Sequence, residues 1–354
     1  MSYINVNKPK FFVNELQYQD SINNLVTSRI DTNGGAAQET TLPIYNHPER
    51  AWYLPGGTLN WNYRYMLFSL KEGFWNDILL SEEENSDSSE YGTYMAMLGH
   101  RWAEHNHFHV ASSASSFPEI VIENMVTSTT LKTIVNAHRP DADLSWDASV
   151  EGWTMMRDIA LVDKCKTICL YITSAYPVGS VSIGNYFSPE HSPDMGYQVS
   201  HVHDGTKFVT TRGGSTFSNT YFRGPPNWSS GAAWELGYYE DKDSDGFAEY
   251  HSPSQVKRTG RRLYEFSWTG FRDTKLMPVN SLRSSYLGLW DGNSLDLHTQ
   301  IIKKTLDQSF IFIPDGTNYD PESFMIARWE DPETSYEQLS PKLYSFSNSI
   351  IESW

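Results

Sequence analysis

The sequence predicts a mainly β protein assembled from antiparallel strands. Three observations carry this. Aromatic residues make up 14% of the chain, with 12 Trp, 21 Tyr and 17 Phe, and such side chains fit pleated, half-buried surfaces. Charged residues are only 20%, and the long Glu/Lys runs of amphipathic helices are missing. The 23 Gly and 17 Pro recur throughout and cut the chain into short segments with turn chemistry between them. At 354 residues the chain is long for one core, so two domains are the default expectation.

Residues 1–40 read as an N-terminal arm. Its run from Asn7 to Tyr18 could pair as an edge strand, and the polar, Gly-containing stretch after it could lie across a neighbour as easily as on its own domain. Residues 41–190 form the first candidate domain. Aromatic strand material fills 51–70, and residues 81–90 carry five acids (Glu82, Glu83, Glu84, Asp87, Glu90) and no bases, the mark of a solvated loop. Short apolar runs follow near 91–102, 107–115, 118–126, 131–139 and 157–173, then a turn at Tyr176-Pro177 leads into a last run. Strands at this spacing argue for an antiparallel sandwich.

Residues 191–354 form the second candidate domain. Polar and apolar residues alternate on both sides of Asp204-Gly205, a hairpin signal. A Pro-, Ser- and Asp-rich insert covers 223–260, and Arg261–Phe271 reads as a strand. Residues 274–307 are the best helical candidate, and 311–329 read as a β-hairpin. The chain closes on Ile350, Ile351 and Trp354 instead of a polar tail. Free ends fray unless tied down, so this end points to burial in the protein's own fold or in a neighbour. The expectation is a closing sheet whose apolar side is completed by sister subunits.

A formal net charge of −16 lacks the basic footprint of direct nucleic-acid binding, and an acidic surface would repel a polyanion. Cys165 and Cys169, if on one strand, lie about 13 Å apart along it, too far for a disulfide. They read as small buried hydrophobes of a protein folding in a reducing compartment. The first residues lack an apolar signal core, and no apolar run is long enough for a membrane span. Synthesis in a cytoplasm without Sec export, and no membrane insertion, are therefore expected.

Two resemblances rest on particular runs. Tyr94–His100, and Lys166–Ile172 followed by Gly179–Gly184, resemble the galactose-binding-like (discoidin-type) β-sandwich over about residues 40–190. Arg261–Phe271, Ser309–Gly316, Phe324–Trp329 and Ser340–Trp354 together resemble the minor tail and distal tail proteins of long-tailed bacteriophages. That second resemblance covers about residues 200–354, and the 223–260 insert departs from a compact version. It implies a tail-ring-type β domain with one or two helices that forms rings around the tail axis and carries no catalysis. It also implies a virion location at the tail tip, baseplate or tail ring. The implied partners are copies of itself and other tail or baseplate proteins.

The histidines invite a site. His100, His105, His107 and His109 fall within ten residues, and in an extended run the last three share a face, as metal-binding imidazoles could. Gly99, His105 and His107 match the opening of the cupin metal motif, but Ala111-Ser112-Ser113 stand where that motif wants a Glu. A polar loop between two strands is the plainer reading. Trp102, His105 and His107 are also the candidates for holding a host surface glycan, which would make the chain an adhesin. His201 and His203 share a face without a third ligand and read as exposed hairpin residues.

The sharper metal candidate is Asp241, Asp243 and Asp245, then Gly246, the Phe247 carbonyl and Glu249. Carboxylates at positions 1, 3 and 5 before a Gly let a loop wrap a calcium ion. The twelfth position is Ser252, where an EF-hand needs Glu, so the alternatives are a standalone calcium loop or an acidic surface turn. Nucleophile-elbow, Walker A, Rossmann and HExxH patterns are missing, and the reading is a non-enzyme. Trp61, Trp75, Trp102 and Trp228 read as core or interface residues before they read as sugar platforms.

Overall fold

The structure is a computed structural model that describes residues 6–31, 38–39, 44, 52–53, 64–79, 91–100, 119–124, 129–135, 152–157, 166–172, 177–178, 180–202, 206–220, 239–242, 248–251, 261–277, 296–317, 324–331 and 333–353. The mainly β, antiparallel expectation holds. One ten-stranded sheet dominates. Its spatial order is Gln198–Val202, Arg261–Arg272, Leu343–Glu352, Met325–Trp329, Phe310–Ile313, Lys10–Asn14, Ser180–Phe187, Tyr91–His100 and Gly152–Arg157. Every pair in it is antiparallel. Ser335–Ser340 is the tenth strand and pairs the first half of Leu343–Glu352, while Met325–Trp329 pairs its end.

Strands from residues 1–40, 41–190 and 191–354 all enter this one sheet. Lys10–Asn14 is no edge: Phe310–Ile313 pairs it on one side and Ser180–Phe187 on the other, and all five of its residues are buried. The alternation of side chains across the pleat splits its aromatics. Phe11 and Val13 enter a core with Phe310, Phe312, Met325, Trp329, Trp268 and Phe346. Phe12 enters a second core with Tyr94, Tyr186, Ile311, Ile313 and Ile326. The middle of the sheet is thus covered on both faces. Gly184 is required here, because a Cβ at that position would stand 1.9 Å from the Val13 carbonyl oxygen.

Helix α1 (Glu15–Ser21) carries the chain out of this sheet. Asn14 caps it, its side-chain oxygen accepting from the Gln17 N–H at 3.4 Å. The turn after it uses Asn23 at φ 60, the left-handed region that Asn tolerates. Leu25–Asp31 then joins a six-stranded sheet in the order Gln38–Glu39, Leu25–Asp31, Arg64–Leu70, Thr167–Ile172, Glu119–Asn124, Thr129–Val135. Cys169 lies in the fourth of these strands, and Cys165 lies outside the described residues. Trp75 is wholly buried and donates its indole N–H to the Phe68 carbonyl at 3.0 Å, a core role.

Arg261–Arg272 forms the strand the sequence predicts. Arg262, Tyr264, Phe266 and Trp268 face inward, while Glu265 and Thr269 are exposed. A register shift between Thr269 and Phe271, with Gly270 at φ 86, returns Phe271 to the core. The 311–329 hairpin also holds, with Phe310 opposite Ala327 and Phe312 opposite Met325. Of the helical expectation for 274–307, the described residues show Asp273–Leu276 and the turns His298–Ile302 and Lys303–Thr305, and residues 278–295 lie outside them.

The expected role of the closing strand is corrected. Phe346 and Ile350 are buried within the single chain, in one core with Trp268, Ile301 and Ile302. Among the described residues, the chain's own helical turns and long strand cover this inward side. Trp354 lies outside the described residues.

The end of that strand is fixed by charge. Glu352 takes a bidentate hold from Arg262, with Nε at 3.1 Å and an Nη at 3.0 Å, and both side chains are almost fully buried. The Arg262 backbone N–H adds a bond to the same carboxylate, and the guanidinium reaches the Phe324 carbonyl at 2.9 Å. Burial works to lower the Arg262 pKa, but the Glu352 carboxylate overrides it and the net shift is upward. Two strands and the residue leading into a third are tied at one point.

Removing one partner strands the other charge. Glu352→Ala is expected to cost about 3–5 kcal/mol, whereas Arg262→Met with Glu352→Leu should recover most of that loss. Urea denaturation of the three chains reads both effects. A wild-type midpoint for Glu352→Ala would show the pair to be idle.

Candidate functional site

The positions singled out from sequence fall mostly outside the described residues. Trp102, His105, His107, Asp243, Asp245 and Phe247 lie there, as do His109 and His203. His100 ends the strand Tyr91–His100 beside a register shift at Gly99. Asp241 and Glu249 sit on the paired strands Tyr239–Lys242 and Ala248–His251 and are Cα partners, so the two ends of the acidic loop stand opposite each other. Among the described residues no group of three or more His, Cys, Asp or Glu could hold a metal ion. Among them, too, no helix is long and apolar enough to cross a membrane.

The hairpin expected around Asp204-Gly205 is displaced by one segment. Gln198–Val202 pairs the Arg261–Arg272 strand, and Thr206–Thr210 pairs Thr216–Thr220 around Gly213-Gly214. Gly214 takes φ 83, a left-handed conformation open to glycine. The turn is well bonded: the Thr211 N–H donates to the Ser215 carbonyl at 2.8 Å, and the Gly214 N–H to the Thr211 carbonyl at 3.0 Å. Every residue from Phe208 to Ser218 is exposed. Phe208 is 69% exposed, Val209 55% and Phe217 64%. Val209 pairs Phe217 on one face, and Phe208 projects from the other. A two-stranded ribbon is marginal alone in water, and this one shows apolar side chains on both faces.

A shallow groove of about 410 Å³ crosses the outer face of the large sheet. It lies where the closing strand changes partner from Ser335–Ser340 to Met325–Trp329. Ser267, Ser347 and Ser335 are successive cross-strand neighbours along its floor. Glu265, Asp331 and Glu333 border it, all exposed, and none is paired with a cation among the described residues. Small hydroxyls make the floor low, and carboxylates make the rim negative. The arrangement suits a cationic or hydroxyl-rich partner.

Sequence reasoning missed both features. The Gly213-Gly214 pair between Thr- and Phe-containing runs was an available hairpin signal. The groove left no such trace, because its residues come from four separate stretches of chain.

Two buried polar clusters stand apart from the groove. Glu15 is wholly buried, receives Lys304 Nζ, and accepts from Asn185 Nδ2 at 3.3 Å. Lys304 also reaches Gln300 Oε1 at 3.2 Å and lies over the Tyr18 ring. Tyr94 and Ser182 share a hydroxyl hydrogen bond at 2.7 Å. Glu15 and Tyr94 are sealed from solvent, so both clusters read as supports of the fold.

In comparisons with known proteins, the chain matches no family model, no curated protein and no solved structure. What the geometry defines is an antiparallel β protein with a projecting hairpin and an acidic groove.

Burial drives the Tyr94 hydroxyl well above the ordinary tyrosine range; the Ser182 bond opposes this and the Glu15 carboxylate adds to it. The folded chain therefore keeps a proton that the unfolded chain loses near pH ~10. Stability from this group is full below that pH and falls as the pH rises past it. Urea midpoints at about pH 8 and about pH 11 should differ less in Tyr94→Phe than in the wild type. An unchanged difference would remove Tyr94 as a source of the alkaline loss.

Proposed function

We propose that this chain is a structural component of a bacteriophage tail, at the tail tip, baseplate or tail ring. It would be made in the host cytoplasm and carried in the virion, in contact with copies of itself and other tail or baseplate proteins. The galactose-binding-like sandwich belongs to this reading as the expected form of residues 41–190. The likeness of four C-terminal runs to tail proteins gains coherence from their placement. Arg261–Arg272, Leu343–Glu352, Met325–Trp329 and Phe310–Ile313 stand side by side in one sheet.

The observation that carries the proposal is the exposed hairpin. Phe208, Val209 and Phe217 expose large apolar side chains on the two faces of one ribbon, which supports a role in contact with a partner. A glycan-binding role for Trp102, His105 and His107 draws less support, since the groove offers hydroxyls and carboxylates but Phe266, its one ring, faces the core. A cupin-like metal enzyme draws less still, because the motif lacks its Glu.

Imaging of the purified full chain by negative-stain electron microscopy tests the reading. Symmetric rings, or labelling of a phage tail by an antibody against the chain, are the expected result. Lone particles at high concentration, together with an unlabelled tail, would overturn it.

A calcium ion held by Asp241, Asp243, Asp245, the Phe247 carbonyl and Glu249 is part of the proposal, supported by the Asp241–Glu249 register. Thermal melts with calcium should lie above melts with a chelator, and Asp243→Asn should shrink that gap. Coincident melts would exclude the ion.

A further inference from the structure

The hairpin and the groove differ in charge. The chain carries a net −16, yet residues 206–220 contain Lys207 and Arg212 and no acid. Arg212 sits in the turn at the hairpin's tip and is exposed. The groove has the opposite character, with three carboxylates above a floor of serines. The hairpin does not rest on its own chain's groove, since its residues from Phe208 to Ser218 are open to solvent. Resting on the assembly reading above, we infer that the tip of this hairpin docks into the Glu265–Asp331–Glu333 groove of a second copy of this chain.

The fit has a physical logic at each level. Arg212 places a guanidinium, five donors in a planar fork, at the leading end, where Asp331 and Glu333 present acceptors. The serine floor leaves room for the Gly213-Gly214 turn, which has no side chains. Behind the tip, Val209 and Phe217 on one face and Phe208 on the other leave water as they pass the rim. The partner supplies the support that an isolated ribbon lacks. The two surfaces are different parts of one chain, so the contact is head-to-tail. Such contacts close into rings when the rotation per copy allows and extend into filaments when it does not.

A charge swap in the full-length chain tests this. Sedimentation velocity should show the wild type associating with rising concentration, and more weakly as salt is raised. Arg212→Glu should weaken association by roughly tenfold or more, by placing like charges in contact. Glu333→Arg alone should weaken it similarly. The two substitutions together in one chain should restore it, because each restored contact again joins opposite charges. Circular dichroism melts that match the wild type confirm that the exposed substitutions leave the fold intact. A double variant no better than the single ones would overturn the inference while leaving the tail reading standing, since copies would then meet elsewhere. A wild type that stays monomeric at every concentration would also overturn the inference, and joined with an unlabelled tail it would overturn the tail reading as well.

Discussion

The fold depends on one short strand. Lys10–Asn14 fills the slot between Phe310–Ile313 and Ser180–Phe187, and without it the ten-stranded sheet falls into two unconnected parts. Its side chains serve both faces: Phe11 stacks with Trp329 and meets Phe310 and Phe312, while Phe12 meets Tyr94, Tyr186 and Phe324. Even Lys10 is buried, its ammonium 5.3 Å from the Tyr186 ring centre. Both neighbours lie far along the chain, so pairing this strand on its two sides closes very long loops. Such closure is entropically costly and slow, and burial of several large rings at once offsets it.

This constraint explains which parts of the fold were legible in the sequence. Arg261–Arg272 alternates inward and outward residues as far as Thr269, and that period is visible without knowing any neighbour. The Phe310–Trp329 hairpin is local and equally readable. Lys10–Asn14 is buried on both faces, so it has no alternation to read, and a short apolar run beside a polar stretch looks like an arm. Its partners are set by packing across hundreds of residues, which composition does not encode. The closing strand misled for a related reason. Its apolar ending is real, but sequence could not tell whether the cover comes from the same chain or another.

The candidate site shows the same division. Phe208, Val209 and Phe217 lie in one continuous run, and a turn at Gly213-Gly214 could have been found by pattern alone. The groove exists only after Arg261–Arg272, Leu343–Glu352 and Ser335–Ser340 align, since Ser267, Ser347 and Ser335 become neighbours through register. A single-residue slip of the closing strand would turn Ser347 inward and Phe346 outward, destroying groove and core together. The Arg262–Glu352 pair lies at the end of this ladder and fixes its phase. A buried ion pair contributes little net stability, and a slip of the strand would pull this one apart. Structure and candidate surface therefore share one lock.

Charge sets a further condition on any self-association. Copies with a net charge of −16 repel one another, and the repulsion is long-ranged unless salt screens it. An apolar hairpin alone would have to overcome that field and would accept any greasy surface. A hairpin that reverses the local sign is drawn toward acidic regions and held off basic ones, so electrostatics chooses the docking site before the aromatic rings are buried. The serine floor then admits the tip by its low relief, not by its own chemistry. Specificity in such a contact comes from the mismatch between one short basic ribbon and the acidic body that carries it.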